Sequence, residues 1–189
     1  MSTSSRKKPP YHHGDLSGVV LQAATELLEE QGVEGLKMRE LARRAKVSHS
    51  APNRHFPSRD SLLAALAADG FARLGQAQQS AGSLKAMGEA YIAFALERPQ
   101  LFRLMFGGSV EYSKHPALGE VATRVYQGLS GALAGERDAS IAAWALVHGL
   151  ANLLIDDRIG LAARQGRDEA AFARDVLSSV RFVARAQPG

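Results

Sequence analysis

The sequence predicts an all-α protein: a short N-terminal three-helix unit, joined by a long helix to a larger helical domain. Three observations carry this. Apolar residues recur at helical spacing in segment after segment, which is the period of a helix face and not of a strand. The 18 Gly and 7 Pro are spread along the chain as punctuation between those segments. Residues 38–56 divide into two short helices around a tight turn, with Met38, Leu41, Ala42 and Ala45 on one face and a fresh capping signal at Ser48.

Composition narrows the setting. A chain of 189 residues with 46% hydrophobic content can bury a core without staples, and it has no cysteine for disulfides or thiolate metal sites. No apolar run is read as approaching the roughly 18 residues of a membrane span, and no signal-peptide core follows the polar start. The expectation is a soluble cytoplasmic protein with no membrane partner. A net charge of +4 favours a polyanionic partner, and its distribution says more. From Lys37 to Arg59 seven basic residues (Lys37, Arg39, Arg43, Arg44, Lys46, Arg54 and Arg59) face one acid, Glu40, for 7 − 1 = +6. Double-stranded DNA is the expected partner of that unit.

Residues 1–13 carry too little apolar surface to order, and are expected to form a mobile basic arm. Its Arg6, Lys7 and Lys8 either reach phosphates or belong to an inert tail. His12 and His13 are adjacent, point apart and lack a third ligand at useful spacing, so no metal and no cofactor is expected. Residues 14–58 form the helix-turn-helix unit. Its first helix starts at Asp15, buries Leu16, Val19, Val20, Ala23, Ala24, Leu27 and Leu28, and ends at Gly32 as a C′ glycine. Val33 to Leu36 is a linker.

The second helix starts after Lys37, where a hydroxyl cap is missing, and the turn at Lys46-Val47 lacks glycine. Lys46 is therefore expected in a left-handed conformation, at a cost of about 1 kcal/mol. Ser48 or a neighbour caps the third helix, which Pro52 restricts to about two turns. Its candidates for base edges are His49, Ser50, Ala51 and Asn53, while Arg54 and His55 lie nearer phosphate. Lys37, Arg39 and Arg43 complete the candidate DNA surface. Phe56 turns inward to lock the third helix.

Residues 59–189 form the second domain. A long helix from Arg59 to Gln79, opened by Ser58, Asp60 and Ser61, spans roughly 30 Å at 1.5 Å per residue and acts as a lever. Leu84 to Glu97 and Gln100 to Phe106 are helices, followed by a loop through His115-Pro116 and a helix from Ala117 to Leu133. Ala139 to Ala163 is apolar over most of its circumference, which predicts burial on more than one side. The last helix runs from Asp168 to about Arg185.

The two final helices have more apolar surface than one protomer needs. They either complete a monomeric core or, as expected here, form a four-helix homodimer interface through Leu154, Ile155, Phe172, Val176, Val180 and Val183. Tyr91, Phe94, Phe102, Met105, Phe106, Trp144, His148 and Asn152 have the composition of a small-molecule pocket, and equally of an ordinary core. No nucleophile elbow, phosphate loop, dinucleotide fingerprint or zinc-enzyme histidine pair is present, so an enzyme is not expected.

The stretch Asp15 to Leu66 resembles the N-terminal domain of TetR-family transcriptional regulators. The residues that carry the resemblance are Leu-Leu-Glu-Glu-Gln-Gly ending the first helix, Met-Arg-Glu-Leu-Ala-Arg-Arg-Ala, Val-Ser, and Arg-His-Phe-Pro-Ser-Arg-Asp-Ser-Leu-Leu. Further along, the segment Trp-Ala-Leu-Val-His-Gly-Leu-Ala-Asn-Leu is similar to a subgroup with a Trp and His-Gly signature. The resemblance implies a homodimer that binds a palindromic operator, usually as a repressor, and releases it for a small-molecule effector. It places DNA contacts at Lys37, Arg39, Ser48, His49, Ser50, Asn53, Arg54 and His55. A constitutive, sequence-tolerant DNA-binding protein without an effector is the alternative.

Overall fold

The computed structural model describes residues 16–181, so the basic arm, Asp15 and the interface candidate Val183 lie outside the described residues. Among those described the chain is helical throughout: α1 Leu16–Gly35, α2 Met38–Arg44, α3 Ala51–His55, α4 Arg59–Gln79, α5 Leu84–Glu97, α6 Pro99–Phe106, α7 Pro116–Ala132, α8 Arg137–Ile155 and α9 Glu169–Ser179. A short 3-10 turn, Tyr112–Lys114, stands inside the segment expected to be a loop.

Local chemistry sets most boundaries. Gly32 breaks α1 with φ 67°, and residues 33–35 add a separate helical turn where a plain linker was expected. Ser58 and Ser61 form a reciprocal capping box at the start of α4. Asp168 caps α9 through its bond from the Ala171 amide at 2.7 Å. Lys37 supplies no side-chain cap to α2, and Lys46 has φ 54°, both as its missing hydroxyl and missing glycine implied. The amides of Lys46 and Val47 bond back to the carbonyls of Arg43 and Ala42, closing a Schellman turn around that strained lysine.

Packing decides the rest. The lever α4 lies against α1, α5, α6 and α7, while α5 lies beneath both α8 and α9. One continuous apolar cluster runs from Val20 in α1 to Leu177 in α9. The helix-turn-helix unit is thus fused to the larger domain through α1 against α6 as well as through α4.

Two expectations are corrected. Helix α8 stops at Ile155, not Ala163, because Asp157 turns left-handed at φ 48° and the Arg158 amide bonds back to the Leu153 carbonyl. Within one protomer it leaves a face open: Ile141, Trp144 and Leu153 are 45%, 39% and 45% exposed. By length and mean hydropathy (1.4) α8 also reaches the range of a membrane span, against the expectation that no segment does. Ser140, His148 and Asn152 interrupt its apolar run without lowering the average enough to exclude it.

Candidate functional site

The first candidate site is the outer face of α2, α3 and the turn between them. Lys37, Arg39, Arg43, Ser48, His49, Ser50, Asn53, Arg54 and His55 are all exposed and lie on this short stretch. Beneath them Leu41 and Phe56, with the half-buried Val47, fasten the two helices to the core. Ala51 is corrected: it is 5% exposed and packs inward, because the proline beside it at Pro52 holds the first turn of α3 down. Ser50, not Ser48, occupies the cap position of α3, and neither hydroxyl caps it. Both hydroxyls, 3.5 Å apart, are therefore presented outward.

The charge on this face is smaller than the count of seven implied. Arg44 forms a two-pronged bond to Glu30 of α1 at 2.6 and 2.5 Å, and Arg59 donates to the Val33 carbonyl at 2.6 Å. Those two guanidiniums hold the unit together. The Glu30 carboxyl is lowered from its ordinary range by its hydrogen bond with Arg44. Arg43 bonds Glu40 one turn away through both prongs, at 2.9 and 2.5 Å. Among the described residues Lys37, Arg39, Lys46 and Arg54 are left as cations without an ion pair.

The second candidate site is a cavity of about 610 Å³ lined by α4, α5, the end of α6, the 3-10 turn, α7, α8 and α9. Of the eight predicted residues Tyr91, Phe106 and Trp144 line it. Phe94, Phe102 and Met105 do not: they are buried in the core between α4, α5 and α6. Asn152 lies a turn beyond, bonding the His148 carbonyl at 2.8 Å. His148 stands behind the wall, its ring 4.9 Å from Phe106 and 5.4 Å from Phe102.

Polar bonds order that wall. The Trp144 indole N–H donates to the Tyr91 hydroxyl at 3.4 Å, and Tyr91 in turn meets His148 Nδ1 at 2.8 Å. An indole nitrogen only donates, so the Tyr91 hydroxyl is free to give its proton to a neutral imidazole. Burial holds His148 below its ordinary pKa and pushes the Tyr91 hydroxyl above its own, which keeps both uncharged.

Sequence reasoning missed Phe71, Gln78, Met87, Tyr112, Thr123 and Tyr126 on this wall. Only Gln78 carried a signal, a polar side chain at an apolar register position of α4 after Phe71 and Leu74. Gly88 also belongs there: a Cβ on it would come within 3.2 Å of both Val147 and Leu177, so its small size lets α5 pass close under α8 and α9. Val180, expected at a dimer interface, is among the residues that line the cavity. Leu154 is buried within the protomer, while Ile155, Phe172 and Val176 are half-buried.

Six aromatic side chains line the cavity, namely Phe71, Tyr91, Phe106, Tyr112, Tyr126 and Trp144, and no carboxylate does. Ring faces attract a cation by about 0.5–2 kcal/mol. Desolvating an ion without a counter-charge costs several kcal/mol, so the enclosed space favours an uncharged apolar body. Among the described residues no group of three or more His, Asp or Glu could hold a metal ion.

Comparison with known proteins agrees with this geometry. The model for bacterial regulatory proteins of the tetR family matches residues 20–66, and a tetracyclin repressor-like C-terminal domain matches residues 84–178. An HTH-type transcriptional repressor of Mycobacterium tuberculosis is 36% identical over 63 residues, which are 33% of this chain and 34% of that protein. A solved structure of a protein of unknown function from a Rhodococcus species shares 30% identity over 91% of this chain and 96% of its own, with a TM-score of 0.71. The TetR-family transcriptional regulator PfmR of Thermus thermophilus superimposes with a TM-score of 0.61 at 19% identity, covering 84% and 94% of the two chains. With one family model over the helix-turn-helix unit and another spanning half the chain, the protein belongs to the TetR family of transcriptional regulators, DNA-binding proteins and not enzymes.

Proposed function

We propose that this regulator is a dimeric repressor that holds a palindromic operator and lets go when a small molecule fills the cavity. The observation that carries the reading is that one helix serves both ends. Helix α4 supplies Phe71 and Gln78 to the cavity and starts at Arg59, three residues after the Phe56 that locks α3. A ligand that moves α4 changes the spacing of the two recognition helices, and its leverage equals its differential affinity for the two states. Coupling of about 1–3 kcal/mol is enough for partial release.

The dimer reading rests on α8, whose outward Ile141, Ala145, Gly149 and Leu153 form an apolar face with small residues at its centre. A second α8 can approach closely there, and the two-fold axis would set two copies of α3 on successive major grooves. Of the expected interface residues, Ile155, Phe172 and Val176 are half-buried and Leu154 is buried within the protomer. The multidrug binding protein EbrR, 20% identical and of the same fold, has been solved with imidazole. That supports a ligand-responsive reading without naming the ligand.

Selection of bound duplexes from a random pool, read beside the mass of the protein in solution, tests the proposal. The expected result is a palindrome and a dimer mass, with Gly149→Glu reduced to a monomer that no longer holds the palindrome. Equal affinity for the selected site and random duplex, where about a thousandfold separation is expected, would support the constitutive alternative instead.

A further inference from the structure

The cavity is not closed at its α4–α7 side. A second space of about 380 Å³ adjoins it, and the two share Phe71, Gln78, Met87 and Val125 as walls. The character of the lining changes along this path. The inner space is aromatic, whereas the outer one is edged by Gln76, Gln79 and Arg124.

Two side chains along the path lack partners. Gln78 stands at the neck, is 7% exposed, and makes no side-chain hydrogen bond to the protein among the described residues. The side chain is mostly covered, but its amide atoms keep a solvent-accessible surface and open on both spaces, free to bond what enters there. Arg124, exposed at the mouth, has no ion pair among the described residues, although Glu120 lies one turn before it on α7. The other lining cation, Lys85, is engaged by Glu89 at 3.5 Å. No aspartate or glutamate lines either space.

We propose that the cavity's ligand is an amphipathic organic anion, with an uncharged apolar body among the aromatic rings and its negative group between Gln78 and Arg124. This rests on the ligand-responsive reading above. The Gln78 amide and the Arg124 guanidinium both offer N–H donors to an oxyanion, and the water-exposed mouth spares the charge full desolvation. A cation at the same end would meet Arg124 and find no carboxylate. A neutral molecule would fill the aromatic space and gain nothing from the Arg124 charge.

Trp144 is the only tryptophan and lies on the cavity wall, so its fluorescence reports occupancy. Three probes with the same ten-carbon chain isolate the head group: decanoate, 1-decanol and decyltrimethylammonium. Decanoate is expected to bind roughly three- to tenfold more tightly than either, the range of a half-exposed charge contact. Arg124→Ala should remove that advantage, Arg124→Glu should reverse it in favour of the cation, and neither should alter 1-decanol. Gln78→Leu should weaken decanoate and tighten 1-decanol. A cation that binds as tightly as the anion, an anion advantage that survives Arg124→Ala, or no quenching by any probe would overturn the inference. Operator affinity measured in the same samples separates the two readings. Selective decanoate binding with unchanged operator affinity leaves the ligand class standing and defeats release by ligand.

Discussion

The Glu29 carboxylate of α1 accepts a hydrogen bond from the backbone amide of Leu101 in α6 at 2.9 Å. A second comes from Gln100 at 3.1 Å. Helix α6 starts with Pro99 after an Arg98 that supplies no side-chain cap, so a residue some seventy positions earlier in the chain provides it. The bond joins the DNA-binding unit to the helix whose far end, Phe106, lines the cavity. It is a physical connection between α1 and the cavity wall, in addition to α4.

Glu29→Ala leaves two part-buried amides of α6 without their partner. The expected loss is about 1–2 kcal/mol in urea unfolding, with a smaller loss for Glu29→Gln, which keeps an acceptor oxygen. Ligand should also shift operator affinity less in Glu29→Ala than in the parent. An unchanged unfolding midpoint would show that the cap contributes nothing.

Arg54 and Arg44 look alike in sequence and differ in placement. Arg54→Ala is expected to weaken binding to every duplex and reduce the slope of log affinity against log salt by about 1. Arg44→Ala should leave that slope alone and lower thermal stability, because its guanidinium is turned onto Glu30. Filter binding at several salt concentrations, beside thermal melts, separates the two. A reduced slope in Arg44→Ala would mean that the arginine leaves Glu30 for phosphate.

At the helix-turn-helix corner, Lys46→Gly relieves a side chain held at φ 54°. The left-handed penalty of about 1–2 kcal/mol is partly offset by the extra chain entropy of glycine, so a net gain of about 0.5–1 kcal/mol in denaturant stability is expected. Affinity for random duplex should fall, since an exposed cation is lost. A destabilised glycine variant would place the lysine's packing above its strain.

His148 makes stability depend on pH in a defined direction. Burial depresses its pKa, so the folded chain binds fewer protons than the unfolded one near that range. The contribution is fully present above the ordinary histidine value of about 6.5 and is lost as pH falls below it toward the depressed value. Its ring contacts are Tyr91, Phe102, Phe106 and Trp144, none of which carries charge there. Melting temperatures between pH 7.5 and 5 should therefore decline less steeply in His148→Phe than in the parent. Parallel profiles would remove His148 from the acid sensitivity.

Short-range chemistry was readable in advance. The Ser58–Ser61 cap, the left-handed Lys46, the inward Phe56 and the outward basic residues of α2 and α3 depend on neighbours within a turn or two, which the order of residues specifies. Helical period also marks which face of a segment is apolar. It does not mark what that face will meet.

That second question belonged to the tertiary structure. Phe102, Met105 and Phe106 share one short apolar helix, yet two fill the core and one lines the cavity. Glu30 and Glu29 are adjacent, chemically identical acids of α1, but one clamps Arg44 and the other caps α6. The sequence by itself determined the helices, the helix-turn-helix reader and its charge, since these follow from local propensity, period and capping. Only the tertiary structure decided which charges are spent on internal bonds, which aromatic rings enclose an open space and where Gln78 faces, since those depend on contacts between segments tens of residues apart.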